Sequence, residues 1–297
     1  MTAMSERNPG HLLCFGLGYS ARVLARRLAA EGWSIAGTSR SVEGAAAIGA
    51  AGWQGLVFDG VASTDEVRRA IATASHALIS VPPGETGDPV LLQYAADIGA
   101  AAGMSWIGYL STVGVYGGHQ GGWVDEHTPP APVSVRGRRR LAAENAWLAL
   151  ARGNSRRVVV FRLPGIFGPG RSALDAVRAG TARRIVKPGQ VFNRIHVDDI
   201  ATALAASMRG RGQHALYNVC DDAPAPPEDV VLHAANLLGL PAPPAIAFET
   251  AELSPMARSF YGESKRVSNQ RMKDDLGVQL AFPSYREGLL HLANLEQ

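Results

Sequence analysis

The stretch His11-Leu12-Leu13-Cys14-Phe15-Gly16-Leu17-Gly18-Tyr19-Ser20-Ala21-Arg22-Val23-Leu24-Ala25-Arg26-Arg27-Leu28 decides the fold. It opens with an apolar run, His11 to Gly16, of strand length and character. It closes with a helical period from Ser20 to Glu31, with Val23, Leu24 and Leu28 on one face and Gly32 as the stop. Between them lies Gly16-Leu17-Gly18-Tyr19-Ser20-Ala21, a G-x-G-x-x-A turn. Gly16 suits the tight turn, Gly18 lets a pyrophosphate approach the backbone, and Ala21 lets the helix pack closely. The amides and dipole at the start of the helix favour phosphate beside Tyr19, Ser20 and Ala21. The competing reading is a glycine-rich turn with no ligand. A strand before the turn, a helix after it and a βαβ unit around it favour a dinucleotide site.

Outward from this unit the alternation continues. Strands are expected at Trp33–Thr38, Trp53–Phe58, His76–Ser80, Ser105–Leu110 and Val158–Leu163. Ser63 is expected to cap a helix that runs to Thr73. Asp88-Pro89 reads as cap and first residue of the next helix, and a longer helix is expected from Val135 to Ala151. Strands apolar on both faces and separated by helices predict an α/β fold, a Rossmann-type doubly wound parallel sheet. The second half holds two proline-rich stretches and several short helices, and reads as a smaller C-terminal substrate lobe. The expected division is residues 10–165 for the dinucleotide-binding domain and 166–297 for the lobe, with the last sheet strand near 214–219 interleaved.

The second strand ends Thr38-Ser39-Arg40 and carries no acid to hold ribose hydroxyls. Arg40 can clamp a 2′-phosphate and Ser39 can donate to it, so NADP(H) is expected in preference to NAD(H). A solvated surface arginine is the alternative. Asp59 ends the third strand, where an acid can meet the adenine amino group. Ser80, Val81 and Pro82 end the fourth, beside the expected cofactor path.

Composition excludes several classes. The 297 residues are 46% hydrophobic and 19% charged, enough apolar material for a core and too little charge for a disordered chain. No run approaches the roughly 18 apolar residues of a membrane span. Residues 1–10 have no apolar stretch of the signal-peptide kind. Cys14 and Cys220 match no zinc spacing and form no disulfide framework, so no metal is expected and a reducing cytoplasm is the simplest location. Net charge is only +3, and lysine occurs only at 187, 265 and 273. The run Arg136-Gly137-Arg138-Arg139-Arg140 lacks the interleaved aromatics of a nucleic-acid surface, and no nucleic-acid partner is expected. A monomer and a homodimer both stay open.

Four further segments carry a resemblance: Leu110-Ser111-Thr112-Val113-Gly114-Val115-Tyr116-Gly117, Arg162-Leu163-Pro164-Gly165-Ile166-Phe167-Gly168-Pro169-Gly170, Arg194-Ile195-His196-Val197-Asp198-Asp199 and Tyr217-Asn218-Val219. In this order they resemble the extended short-chain dehydrogenases/reductases, the NAD-dependent epimerase/dehydratase family, over nearly the whole chain. The resemblance implies a Ser or Thr after the fifth strand that orients a substrate oxygen, here Thr112. It also implies a Tyr-x-x-x-Lys pair opening the next helix, and Arg136 and Arg140 stand in those two places. Arg140 can replace the lysine charge, but an arginine cannot replace the tyrosine as proton donor. Phe15 stands where the family's turn has its first glycine. Both departures resemble the atypical members of the family.

The resemblance therefore implies a small-molecule enzyme, an NAD(P)-binding oxidoreductase or epimerase of the short-chain dehydrogenase type without its usual tyrosine. The substrate expected is small, polar and possibly similar to a nucleotide-sugar. The alternative is a non-catalytic NADP(H)-sensing or binding protein. Expected site residues are Thr112, Tyr116, Arg136 and Arg140 for chemistry, Asn193, Arg194 and His196 for substrate, and Pro164 with the cofactor. Tyr116 can act as a hydroxyl acid or pack under its loop, and Asp198 is expected to cap the following helix. Tyr261-Gly262-Glu263-Ser264-Lys265 spells the same four-residue spacing far from the helix where the family places it; a chance match is expected, and the alternative is that the segment faces the cleft from the substrate lobe.

Overall fold

The computed structural model describes residues 9–152 and 156–295. Its main sheet has seven parallel strands: β1 (His11–Phe15), β2 (Ser34–Ser39), β3 (Gln54–Val57), β4 (His76–Ile79), β5 (Trp106–Thr112), β6 (Arg157–Leu163) and β7 (Leu216–Asn218). Their spatial order is β3-β2-β1-β4-β5-β6-β7. The order reverses between β1 and β4, the switch point where α/β sheets bind ligands beyond the strand ends. The chain is thus the expected α/β Rossmann fold.

The strands are parallel because helices cover both faces. Every residue of β1 after His11 is buried, as is every residue of β4 after His76. At the edge, β3 leaves Gln54 and Val57 exposed. In register, Leu12 of β1 sits beside Ile35 on one side and His76 on the other, and Cys14 beside Gly37 and Leu78.

The described residues form two compact units, one within 9–110 and 142–160 and the other within 111–141 and 161–295. The first holds α1 (Tyr19–Ala30), α2 (Val42–Ala50), α3 (Asp65–Thr73), α4 (Pro89–Ala100) and the greater part of α5 (Val135–Leu150). Its core includes Phe15, Phe58 and Tyr94, whose ring centroids lie 5.3–6.0 Å apart. Asp88 caps α4 as expected: one carboxylate oxygen accepts from the amides of Val90 and Leu91, and the other from the indole of buried Trp147 at 3.1 Å. For α3 the cap is Thr64, whose hydroxyl accepts from Val67, and Ser63 instead accepts from Arg68.

The second unit contains α6 (Ala173–Arg178), α7 (Val197–Met208), α8 (Pro227–Leu237), α9 (Pro255–Phe260), α10 (Gln270–Leu276) and α11 (Tyr285–Leu295). Three short parallel pairs tie its loops: 165–167 with 194–196, 123–124 with 266–267, and 184–186 with 245–247. Phe167, Leu174, Val230, Tyr285 and Leu289 form the core under α6, α8 and α11. The cap of α7 is His196, whose Nδ1 accepts from the Asp198 amide, and not Asp198, which lies inside the first turn. An imidazole can accept there only as the neutral ring, and burial lowers the His196 pKa.

Candidate functional site

In the first unit the turn after β1 is set by its glycines. Gly16 has φ +83, and a side chain there would meet Val81 Cγ1 at 2.9 Å. The amide of Gly16 donates to the Thr38 hydroxyl and that of Leu17 to the Thr38 carbonyl, which fixes the turn to the end of β2. Gly18 is different. Its φ is an ordinary −86, and a Cβ built on it meets nothing within 4 Å. The space beside Gly18 is therefore open, as backbone contact with a pyrophosphate requires. Gly18 is the N-cap of α1 and gives it no side-chain cap, and the first turn of α1 carries no acid. By contrast α2, α3 and α4 are capped by Ser41, Thr64 and Asp88. An uncapped, acid-free start to a 12-residue helix suits an anion. Ser20 and Ala21 are buried against the sheet.

At the end of β2, Arg40 is exposed and its guanidinium engages no partner among the described residues. Ser39 is half-buried beside it. Asp59 is exposed, and its carboxylate accepts from the amides of Val61 and Ala62, which hold its pKa down. Val81 is half-buried and Pro82 exposed, after Ser80 has donated to the Phe15 carbonyl.

The second unit encloses a cavity of about 580 Å³ that brings together much of what the motifs predict. Thr112, Arg136, Arg140, Pro164, Asn193 and Arg194 all line it. Thr112 ends β5, and its hydroxyl oxygen accepts from the Gly114 amide at 3.1 Å, leaving the proton to be donated. Arg136 and Arg140 stand four residues apart in the first turns of α5, on one helix face. The Arg136 guanidinium is held from across the wall by α9. It lies over the Phe260 ring at 4.7 Å and contacts the Met256 sulfur at 3.8 Å. Arg194 donates to the carbonyls of Phe192 and Ala225 and lies 5.9 Å from the Tyr285 ring. Asn193 is tied to a single segment, 265–267: its Nδ2 donates to the Lys265 carbonyl and its Oδ1 accepts from the Val267 amide.

One further part of the lining was left as an alternative by the sequence. Tyr261, Glu263 and Lys265, the segment expected to match by chance, line the same cavity. Lys265 is buried, and its ammonium donates to the Gly117 carbonyl at 2.6 Å and to Glu263 at 2.8 Å. Tyr261 is held by a stack on Phe248 and an edge contact with Phe192, at centroid distances of 5.0 and 5.2 Å. The only signal for this wall in the sequence was the spacing itself. Arg171 completes the cationic lining. Arg136, Arg140, Arg171, Arg194 and Lys265 face one carboxylate, Glu263, which Lys265 neutralises. The described lining thus carries more cationic than anionic side chains.

Two expected residues lie elsewhere. Tyr116 is fully buried under its loop, donates its hydroxyl to Asn218 Oδ1 at 2.8 Å and has the Arg162 guanidinium over its ring at 4.7 Å. It does not line the cavity, and burial raises its pKa against the pull of Arg162. His196 is likewise fully buried, packed between the rings of Phe167 and Phe282.

Comparisons with known proteins agree with the fold. The model of the NAD dependent epimerase/dehydratase family matches residues 16–220. The chain is 30% identical to the protein YeeZ of Escherichia coli over 280 residues, which cover 90% of this chain and 94% of that protein. It is 51% identical to a conserved protein of unknown function from Silicibacter pomeroyi, with a TM-score of 0.87 over 97% of this chain and 99% of that one. The dTDP-glucose 4,6-dehydratase of Bacillus anthracis, solved with NAD, shares the fold at 14% identity and a TM-score of 0.77 over 97% and 96% of the two chains.

Proposed function

This chain belongs to the NAD-dependent epimerase/dehydratase family, and on that footing we propose that it is an NADP(H)-dependent oxidoreductase or epimerase acting on a small anionic substrate. The observation that carries the reading is the cavity wall, where Thr112 of the family's Ser/Thr position stands with Arg136, Arg140, Arg171 and Arg194.

The residues of the first unit fit a dinucleotide phosphate. The open space at Gly18 and the uncapped start of α1 take the pyrophosphate, and Arg40 with Ser39 takes a 2′-phosphate. When bound, the nicotinamide supplies or accepts a hydride. The chain itself supplies binding, orientation and charge. Thr112 donates its hydroxyl proton in a hydrogen bond to the reacting oxygen of the substrate. Arg136 and Arg140 stabilise negative charge as it develops on that oxygen or on a neighbouring acidic group. Arg140 stands in place of the family's lysine and carries the charge that the ribose end requires. Arg194 and Asn193 give the cavity its far polar wall.

A second reading, a protein that senses NADP(H) without turnover, is favoured by one feature: α5 opens with arginines and offers no proton donor. Calorimetric titration with NADPH and NADH, followed by hydride-transfer assays over carbonyl and sugar-nucleotide panels, separates the two. Binding with turnover supports the enzyme, and binding without turnover supports the sensor. No binding of either nucleotide removes both.

A further inference from the structure

The described residues leave one chemical role on the cavity wall unfilled. Hydride transfer to a carbonyl needs a proton for the oxygen. Thr112 is too weak an acid to give one up, and the guanidiniums of Arg136 and Arg140 do not dissociate. Tyr116 is buried away from the cavity with its hydroxyl committed to Asn218. Among the described lining residues Tyr261 is the only phenol.

Three observations distinguish Tyr261 from a packing residue. Its hydroxyl makes no hydrogen bond among the described residues, a state it shares with Tyr285, which does not line this cavity, whereas the hydroxyls of Tyr94, Tyr116 and Tyr217 are all bonded. The hydroxyl is not sealed off, because the residue opens onto the cavity. Its ring is fixed on two sides by Phe192 and Phe248, so the phenol is held in place before any ligand arrives. A buried tyrosine normally satisfies its hydroxyl, and one left unpaired at a cavity wall is placed for a ligand. Lys265, four residues on, is not its partner in the family's manner, since the ammonium is spent on Gly117 and Glu263. Besides burial, two opposed charges act on the phenol, that of Glu228, which raises its pKa, and the weaker pull of Arg194, which lowers it.

We propose that Tyr261 is the proton-transfer residue of this chain, standing on the wall of the second unit's cavity in place of the tyrosine that α5 lacks. The proposal rests on the oxidoreductase reading above. In the reducing direction the carbonyl carbon takes the hydride, two electrons and one proton, from the dihydronicotinamide, and the C=O π bond opens onto oxygen. The Tyr261 O–H bond breaks as an O–H bond forms on that oxygen. The tyrosinate recovers its proton from water, and the reverse reaction runs the same steps backwards. Burial holds the phenol above the ordinary tyrosine value, so at neutral pH it is the acid that this step needs.

The test uses the full chain and Tyr261→Phe, which keeps the ring and removes only the unpaired hydroxyl. NADPH binding is measured by calorimetry, folding by thermal unfolding, and turnover with NADPH plus para-nitrobenzaldehyde or phenanthrenequinone as carbonyl probes. The expected result is a kcat lower by on the order of 100-fold, the usual size of a lost general acid, with KM, NADPH affinity and melting temperature nearly unchanged. Wild-type kcat in Tyr261→Phe overturns the role of Tyr261 and leaves the oxidoreductase reading standing. NADPH binding without turnover in the wild type overturns the oxidoreductase reading and this role together. A Tyr261→Phe protein that loses NADPH affinity or unfolds early shows a structural tyrosine and also overturns the proposal.

Discussion

Arg136 of α5 and Phe260 of α9 meet face to face, with the guanidinium carbon 4.7 Å from the centre of the ring. The contact is half-open to solvent, since Phe260 is 46% exposed, and is worth about 0.5–1 kcal/mol. It closes one side of the cavity with a cation whose hydrogen-bonding edge remains available to a ligand. With the dinucleotide site saturated by NADPH, Arg136→Ala should weaken binding of inorganic pyrophosphate to the cavity about tenfold, the size of one charged hydrogen bond. It should also speed proteolysis near residues 255–260 while leaving NADPH affinity unchanged. Calorimetry and timed proteolysis check both. Unchanged pyrophosphate binding would make Arg136 a strap for α9 and nothing more.

Gly18 and Gly16 should respond oppositely to the same substitution. Gly18→Val adds a side chain into open space at an ordinary φ, so the melting temperature should stay close to wild type while NADPH binding is lost. Gly16→Val forces a branched residue to φ +83 and into Val81, which should cost several kcal/mol of stability. Thermal unfolding beside cofactor titration separates the two effects. NADPH binding retained in Gly18→Val would mean that the phosphates lie elsewhere.

Arg40 should set the nucleotide preference. Its guanidinium has no partner among the described residues to lose, so Arg40→Ala should leave stability within about 0.5 kcal/mol. NADPH affinity should fall about tenfold or more and NADH affinity hardly at all. Equal affinities in the wild type would be evidence against the 2′-phosphate contact.

Asp221 should make stability fall as pH rises. Burial pushes its carboxyl from 3.8 up to about 8, against the nearby charge of Arg194. Between those values the folded state keeps a proton that the unfolded state has lost. Its contribution is therefore greatest below pH 3.8 and is lost progressively up to about pH 8. Asp221→Asn keeps the carbonyl that accepts from Ala223 and removes the titration. Denaturant unfolding at acid and mildly alkaline pH should show a smaller decline in the variant. A decline of the same size in both proteins would place the titration elsewhere.

Much of this was legible along the chain. The period of 11–28 identified β1, the glycine turn and α1, because strand and helix periods are local properties of backbone geometry. Asp88-Pro89 announced the start of α4 for the same reason. Caps were harder to locate to the residue. Thr64 and His196, not Ser63 and Asp198, hold the helix ends, because a cap is chosen by the angle at which the chain enters the helix.

The sequence by itself determined the α/β sheet, the glycine turn and the local placement of Thr112, Arg136 and Arg140, each written in neighbours a few residues apart. Tertiary structure alone decided which side chains share a cavity. It set Tyr261 and Lys265 in the wall with Arg136, and it buried Tyr116 against Asn218. The pairing of 123–124 with 266–267 joins segments that no local period connects. Whether a tyrosine hydroxyl meets a carbonyl, a carboxylate or open space depends on residues far along the chain, and periodicity carries no record of them.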